Sequence, residues 1–185
     1  MAFTLYRTWQ TPMAVEQGRW VSLGIGIMGL EFILVHSGII LPALAAAKSV
    51  IGRKPIFLVS AMYALFAAGM AFGLKNTMLF WTFSGIMVPR WIGTVIDSDK
   101  ANEQQVRRSR TSVMLYLGVI FLSVLIRFPR GGLTPEILDS VYPDRGTGVW
   151  EQHPQQGLVA GIIYFGAMGI AEMINVLRPR PATNF

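Results

Sequence analysis

Cysteine is absent from this chain of 185 residues, and histidine occurs only twice, at His36 and His153. The first absence excludes a disulfide framework, a thiolate metal centre and a cysteine nucleophile. The second leaves no metal site built from several imidazoles of one chain. Charge is scarce as well. Asp, Glu, Lys and Arg make up 14% of the residues, whereas soluble domains average about 25%, so there are too few charges to form a polar shell around a core. Reaction motifs are missing too: no phosphate loop, no Gly-x-Ser-x-Gly and no His-Glu-x-x-His. Gly24-Ile-Gly26-Ile-Met-Gly29 has the letters of a dinucleotide fingerprint, but it lies inside an apolar run and not between a strand and a helix. No catalytic residue is assigned, and the reading leans away from an enzyme. No internal repeat is visible, which removes support for an inverted-repeat transporter. Residues 1–19 lack the apolar core and small-residue cleavage site of a secretory signal, so the first apolar run is expected to target the chain.

What the sequence has instead is apolar length. Hydrophobic residues make up 52% and mean hydropathy is +0.47. A hydrocarbon core about 30 Å thick needs about 20 apolar residues as a helix. Five segments meet or approach that length: 20–47, 55–74, 78–96, 111–128 and 157–177. The expected fold is therefore an all-α integral membrane protein, a bundle of five transmembrane helices in one domain over residues 20–178. An N-terminal interfacial segment, 1–19, precedes it and a tail, 179–185, follows. The third segment contains Pro89 and Arg90. A proline beside an arginine is costly at membrane depth unless buried in protein, so four spans plus a re-entrant third segment is the alternative.

The formal net charge of +6 reads as topology and headgroup contact, not as nucleic-acid binding, because Lys and Arg lie mostly between the apolar runs. Nine of them fall on the side of the 1–2 loop, the 3–4 loop and the C-terminus, against six on the other side. The positive-inside rule then puts the N-terminus outside and the C-terminus in the cytoplasm, in a membrane of the bacterial inner-membrane type. The loop 129–156 would be extracytoplasmic. Within it, Thr134-Pro135-Glu136 has the form of a helix start, with a capping hydroxyl, proline at the first helical position and an acid in the first turn. A short helix over residues 135–142 on the membrane face is predicted. Trp20, Tyr142 and Trp150 suit the interfacial aromatic belt.

Small residues recur at four-residue spacing in two segments: Ser60, Ala64 and Ala68 with Gly69 and Gly73 in the second, and Gly157 with Gly161 in the fifth. Such spacing lets helix backbones approach closely in lipid; the plainer reading is that Gly and Ala are common in membrane helices. Whether the partner helix belongs to the same chain is left open.

Ionisable residues at membrane depth are functional candidates. Here they are Glu31, His36, Arg90 and Glu172, all in odd-numbered segments, which cross in one direction. With Glu31 near the midplane, Arg90 falls about 4–5 Å further along and His36 and Glu172 about 7 Å, at 1.5 Å per residue. These four are expected to form an intramembrane polar network. The bland reading is an ion pair of Arg90 with Glu31 or Glu172 that fixes register and does no chemistry. No metal is expected and no cofactor is assigned. Haem b or a quinone at His36 is the open alternative, with Met87 or Met168 as a second haem ligand; bound lipid is expected. Methionine in membrane helices is more often a packing residue. His153 and the Arg107–Arg110 stretch read as solvated or headgroup-facing.

Three functions follow as expectations. The first is an accessory or structural subunit of a larger membrane complex, its partners other membrane subunits or further copies of itself. The second is a redox, quinone- or haem-linked subunit using His36. The third is a small proton- or ion-coupled transporter centred on Glu31, Arg90 and Glu172.

Overall fold

The computed structural model describes residues 1–47, 54–96, 99–143 and 145–177; the side chains of residues 46, 90, 93–96, 99–108 and 175–177 fall outside that description. No strand occurs among the described residues. The helices are α1 (Ala2–Gln10), α2 (Trp20–Ala46), α3 (Lys54–Gly73), α4 (Thr77–Ile96), α5 (Asp99–Leu125), α6 (Pro135–Val141), α7 (Val149–Gln152) and α8 (Pro154–Leu177). Three stretches are long and apolar enough to cross a membrane: Trp20–Ala45, Lys54–Gly73 and Pro154–Ile174. The apolar parts of α4 and α5, Thr77–Pro89 and Ser109–Leu125, are shorter.

Helix α2 is the axis of the molecule, and α3, α4, α5 and α8 all pack on it. On one side, the α2–α3–α4 wing buries Leu30, Ile33 and Leu34 of α2 against Ile56, Tyr63, Ala67 and Ala71 of α3 and Leu79, Phe83 and Met87 of α4. The spacing of four and seven residues along α3 and α4 is one face of a helix. On the other side, the α2–α5–α8 wing buries Met28 and Val35 with Tyr116, Val119, Ala160 and Tyr164.

The α3–α4 connection is a tight hairpin. Asn76 N–H donates to the Ala71 carbonyl and Lys75 N–H to that of Phe72, with Lys75 in the left-handed region at φ 50°. This closes the last turn of α3 by the double bond of a Schellman end. Asn76 then starts α4, its Oδ1 accepting from Met78 N–H at 3.1 Å.

At this same end of the wings, α1, α6 and the segments between helices form a cap, against which Leu74 of the hairpin packs. Leu5, Val21, Ile25, Leu133, Leu138, Tyr142 and Leu158 share one apolar cluster there. The helix start expected at Thr134 is that of α6: the Thr134 hydroxyl oxygen accepts from Ile137 N–H. Gly131 turns at φ +62° against the Trp9 backbone, with the site of a Cβ 2.6 Å from the Trp9 carbonyl oxygen. A side chain there would be strained and would clash.

Three boundaries differ by three residues or more from those expected. The last helix starts at Pro154 and not at 157, with Gln155 and Gln156 buried. The fourth starts at Asp99 and ends at Leu125, short of residue 128. One side chain accounts for the start of the last helix and the end of the fourth. With its amide turned so that nitrogen and oxygen both find partners, Gln156 donates to the Ser123 and Ile126 carbonyls (3.1 and 3.0 Å) and accepts from Phe128 N–H at 3.2 Å. The final carbonyls of a helix have no partner within it, and at a membrane edge leaving them bare is costly. Two glutamines that look like loop residues therefore belong to α8, where one of them closes the end of α5.

Candidate functional site

Helices α2 and α8 lie side by side in parallel. A Cβ on Gly161 would meet Leu5 at 2.6 Å and Met28 at 3.3 Å, and one on Gly157 would meet Ile25 at 3.5 Å. The small residues let the two backbones approach, and the approach sets a register in which Glu31 faces Tyr164. The Tyr164 hydroxyl donates to Glu31 Oε1 at 2.6 Å. Helix α5 runs antiparallel between them and supplies Tyr116, whose hydroxyl donates to the Met28 carbonyl at 2.5 Å. The two tyrosine rings meet edge to face, 5.4 Å between centroids. One turn towards the start of α5, the Ser112 hydroxyl donates to the Met168 sulfur at 3.6 Å. The α2–α5–α8 contact is thus threaded by hydroxyls and one carboxyl. An interhelical hydrogen bond in a membrane is worth about 0.6 kcal/mol on average and about 1.7 at most, so these bonds fix register more than they supply stability.

His36 follows Glu31 by five residues on α2. Its Nδ1 lies 2.7 Å from the Phe32 carbonyl oxygen. A carbonyl can only accept, so Nδ1 carries the proton and Nε2 is the ring nitrogen left to face a partner. The imidazole stacks on Phe32 at 4.1 Å, and Phe32 in turn lies 6.2 Å from Tyr116. An aromatic run therefore links His36 through Phe32 and Tyr116 to Tyr164, the partner of Glu31. At the far end of the wing, a Cβ on Gly38 would come within 2.9 Å of Ser109 Cβ, so α2 and α5 touch almost backbone to backbone there.

The other two candidates sit at related depths. Leu79 of α4 fills the space over Gly26 of α2. Carried forward eleven residues, that register sets the backbone of Arg90 level with that of Ser37; the Arg90 side chain lies outside the described residues. Glu172 is eight residues past Tyr164, about 12 Å along the axis, so its level is beyond His36 and well beyond Glu31. Glu172 and Glu31 both make further interactions.

The predicted packing residues divide. Gly157 and Gly161 sit at the α2–α8 contact, and Ala64 packs on the α2–α3–α4 cluster. Gly69 and Gly73 do not face this cluster: the space around them is open, and the buried small residues of α3 are Ala67 and Ala71. Ser60 Oγ is buried without a hydrogen-bond partner, as are Tyr63 Oη and Trp91 Nε1 of the same wing. Met87 lies in the α2–α3–α4 cluster and Met168 packs against the other, so the two proposed second ligands flank α2 on different sides. No group of three or more His, Asp or Glu residues able to hold a metal occurs among the described residues.

Sequence reasoning missed Tyr116 and Tyr164. Inside a 20-residue apolar run a tyrosine reads as one more large side chain. The available signal was that Tyr164 and Tyr116 carry hydroxyls inside apolar runs, where a buried hydroxyl needs a partner. Among known proteins, neither a protein family, nor a curated protein, nor a solved structure matches this chain.

Proposed function

We propose that this is a five-span helical membrane protein that serves as a non-catalytic packing subunit of a larger membrane assembly. The observation that carries this reading is the outward position of Gly69 and Gly73. They form a Gly-x-x-x-Gly pair on α3, a helix long and apolar enough to cross a membrane, and no atom of the described residues beyond their own stretch of helix lies within 4 Å of where their Cβ atoms would be. Glycines at that spacing make a shallow groove into which a second helix backbone fits closely in lipid. The five-span count is supported by the depth over which α4 runs beside α2. The N-terminus is placed outside and the C-terminus in the cytoplasm of a bacterial-type inner membrane, from the Lys and Arg bias alone; reporter fusions at each end test that.

The test of the assembly reading is extraction from native membranes in mild detergent, followed by native electrophoresis and mass spectrometry. The expected result is a large band with constant partners or copy number. A Gly69→Leu/Gly73→Leu double variant should shrink it to the size of one chain with an unchanged unfolding temperature. A parent protein that is already monomeric and free of partners overturns the proposal.

A second reading is favoured by the hydrogen bond between Tyr164 and Glu31. A carboxyl held by a tyrosine at membrane depth, with an imidazole about one and a half turns away, has the groups of a proton- or ion-handling site. Glu31→Gln should then abolish flux in reconstituted vesicles while leaving the fold intact; absence of flux in the parent protein removes this reading. The redox version would use His36 Nε2, and an absorption spectrum of the same native band decides it: no Soret band, no haem.

A further inference from the structure

The cap end of the molecule carries a surface that the assembly reading does not use. Helix α1 is two-faced. Leu5 and Thr8 are fully buried, while Phe3 is 71% and Tyr6 47% exposed, with Met1 and Met13 exposed beside them. In water that would be an apolar patch without a cover.

Its depth says what surrounds it. The Leu5 side chain occupies the space over Gly161 and Gly24, 2.6 and 2.9 Å from where their Cβ atoms would stand. Gly161 is seven residues inside the apolar stretch Pro154–Ile174, about 10 Å along the axis. Helix α1 thus lies beside the ends of α2 and α8 and not above them. Amphipathic helices of the interface seat their apolar face about 5–10 Å into the boundary between headgroups and acyl chains, which is this depth.

Charge completes the argument. The Trp9 indole N–H donates to the Pro129 carbonyl at 3.0 Å, and Gly132 N–H donates to the Trp9 carbonyl. These bonds staple the 129–132 segment to the end of α1. They bring Arg127 and Arg130 to the same end as Arg7, and all three are exposed. Of the cap's acids, Asp139 is engaged by Arg145 and Glu151 by Gly148 N–H, Glu136 bonds Thr134 and feels Arg130 from a distance, and Glu16 stands exposed three residues before Arg19, which is exposed too. Trp9, Trp20, Tyr6 and Trp150 lie at this same end, as an interfacial belt requires.

We propose that α1 is an interfacial anchor: Phe3 and Tyr6 seat among the upper acyl chains of the bilayer, and Arg7 and Arg130 meet the phosphates of anionic lipids. The partner is lipid, not a protein surface.

Because the chain has no cysteine, Phe3→Cys, Tyr6→Cys and Gln152→Cys each create a unique spin-label site in the whole protein. Each variant is reconstituted in vesicles of phosphatidylcholine alone and of phosphatidylcholine with phosphatidylglycerol. Collision with oxygen reports lipid, and collision with a nickel chelate reports water. Labels at positions 3 and 6 should be rich in oxygen and poor in nickel contacts, with the reverse at position 152. They should sit deeper when phosphatidylglycerol is present, and Arg7→Gln/Arg130→Gln should erase that difference. Nickel access at positions 3 and 6 equal to that at 152 overturns the proposal, because α1 would then lie in water. Shielding from both probes overturns it too, because a protein would be covering α1. Equal depth in the two kinds of vesicle overturns the part played by anionic lipid.

Discussion

The two wings of α2 use the same helix in opposite ways. The α2–α3–α4 wing is held by aliphatic and aromatic side chains at four- and seven-residue spacing, and three buried polar atoms within it, on Ser60, Tyr63 and Trp91, have no hydrogen-bond partner. Among the described residues the α2–α5–α8 wing buries fewer side chains, yet polar atoms meet within it: Tyr164 with Glu31, Tyr116 with the Met28 carbonyl and Ser112 with Met168. Apolar packing tolerates small slips of one helix along another, because many neighbouring registers bury similar surface. A hydrogen bond in lipid does not, because a slip of one residue leaves both groups bare. The first wing therefore supplies bulk contact and the second supplies register. The titratable and polar candidates Glu31 and His36 lie where register is fixed.

That contrast can be broken experimentally. The largest effect is expected from Tyr116→Ala, which removes a fully buried ring together with its bond to Met28; core aromatic truncations cost about 3–5 kcal/mol. Phe83→Ala in the other wing should cost less, since only packing is lost. Thermal unfolding of the two variants in one detergent gives the comparison, and equal midpoints would dissolve the distinction between the wings. Next comes Gly38→Val, which forces bulk between α2 and α5 where Ser109 stands, at a cost of about 1–3 kcal/mol for overpacking. Gly69→Val on the open face of α3 should stay within about 0.5 kcal/mol in a monomeric detergent preparation, as outward substitutions do. The sharpest pair is the removal of single hydroxyls. Tyr164→Phe deletes the bond to Glu31 and should destabilise by about 0.6–1.7 kcal/mol. Tyr63→Phe deletes a buried hydroxyl without a partner and should be neutral or stabilising. Shifts of the same sign would mean that the polar threading of the second wing does no holding.

The smallest expected effect lies outside the wings. The Thr134 hydroxyl holds the Glu136 carboxyl below its ordinary range, with a smaller pull from Arg130. A carboxyl depressed in the folded state adds stability above its unfolded value and loses it as pH falls through the folded one. The first turn of α6 should therefore loosen only in acid below the usual carboxylate range. Amide exchange at Ile137 in the parent and in Thr134→Ala reads this out: protection should fall in acid in the parent and show little change with pH in the variant.

Much of the helical content was legible in the residues because three of the apolar runs are long enough to cross a membrane as helices. The start of α6 was legible because Thr134, Pro135 and Glu136 act on their own backbone. The start of α8 was not, because Gln155 and Gln156 lower local hydropathy, and their place in a helix depends on carbonyls of α5 some thirty residues away. Glu31 and His36 stood out by charge alone. Tyr164 and Tyr116 did not, because their importance comes from meeting Glu31 and Met28 across 133 and 88 residues of chain.

The sequence by itself determined that this chain is helical and built from long apolar runs, since partition into lipid depends on apolar length and on backbone satisfaction within each helix; it offered five such runs, and three of the helices are long and apolar enough to cross a membrane. The tertiary structure alone decided which face of each helix meets which neighbour: why Gly161 packs while Gly69 stands open, and why a glutamate in the middle of α2 finds a tyrosine. Those choices follow from close approach at small residues and from polar groups that must find one another, and no local pattern encodes either.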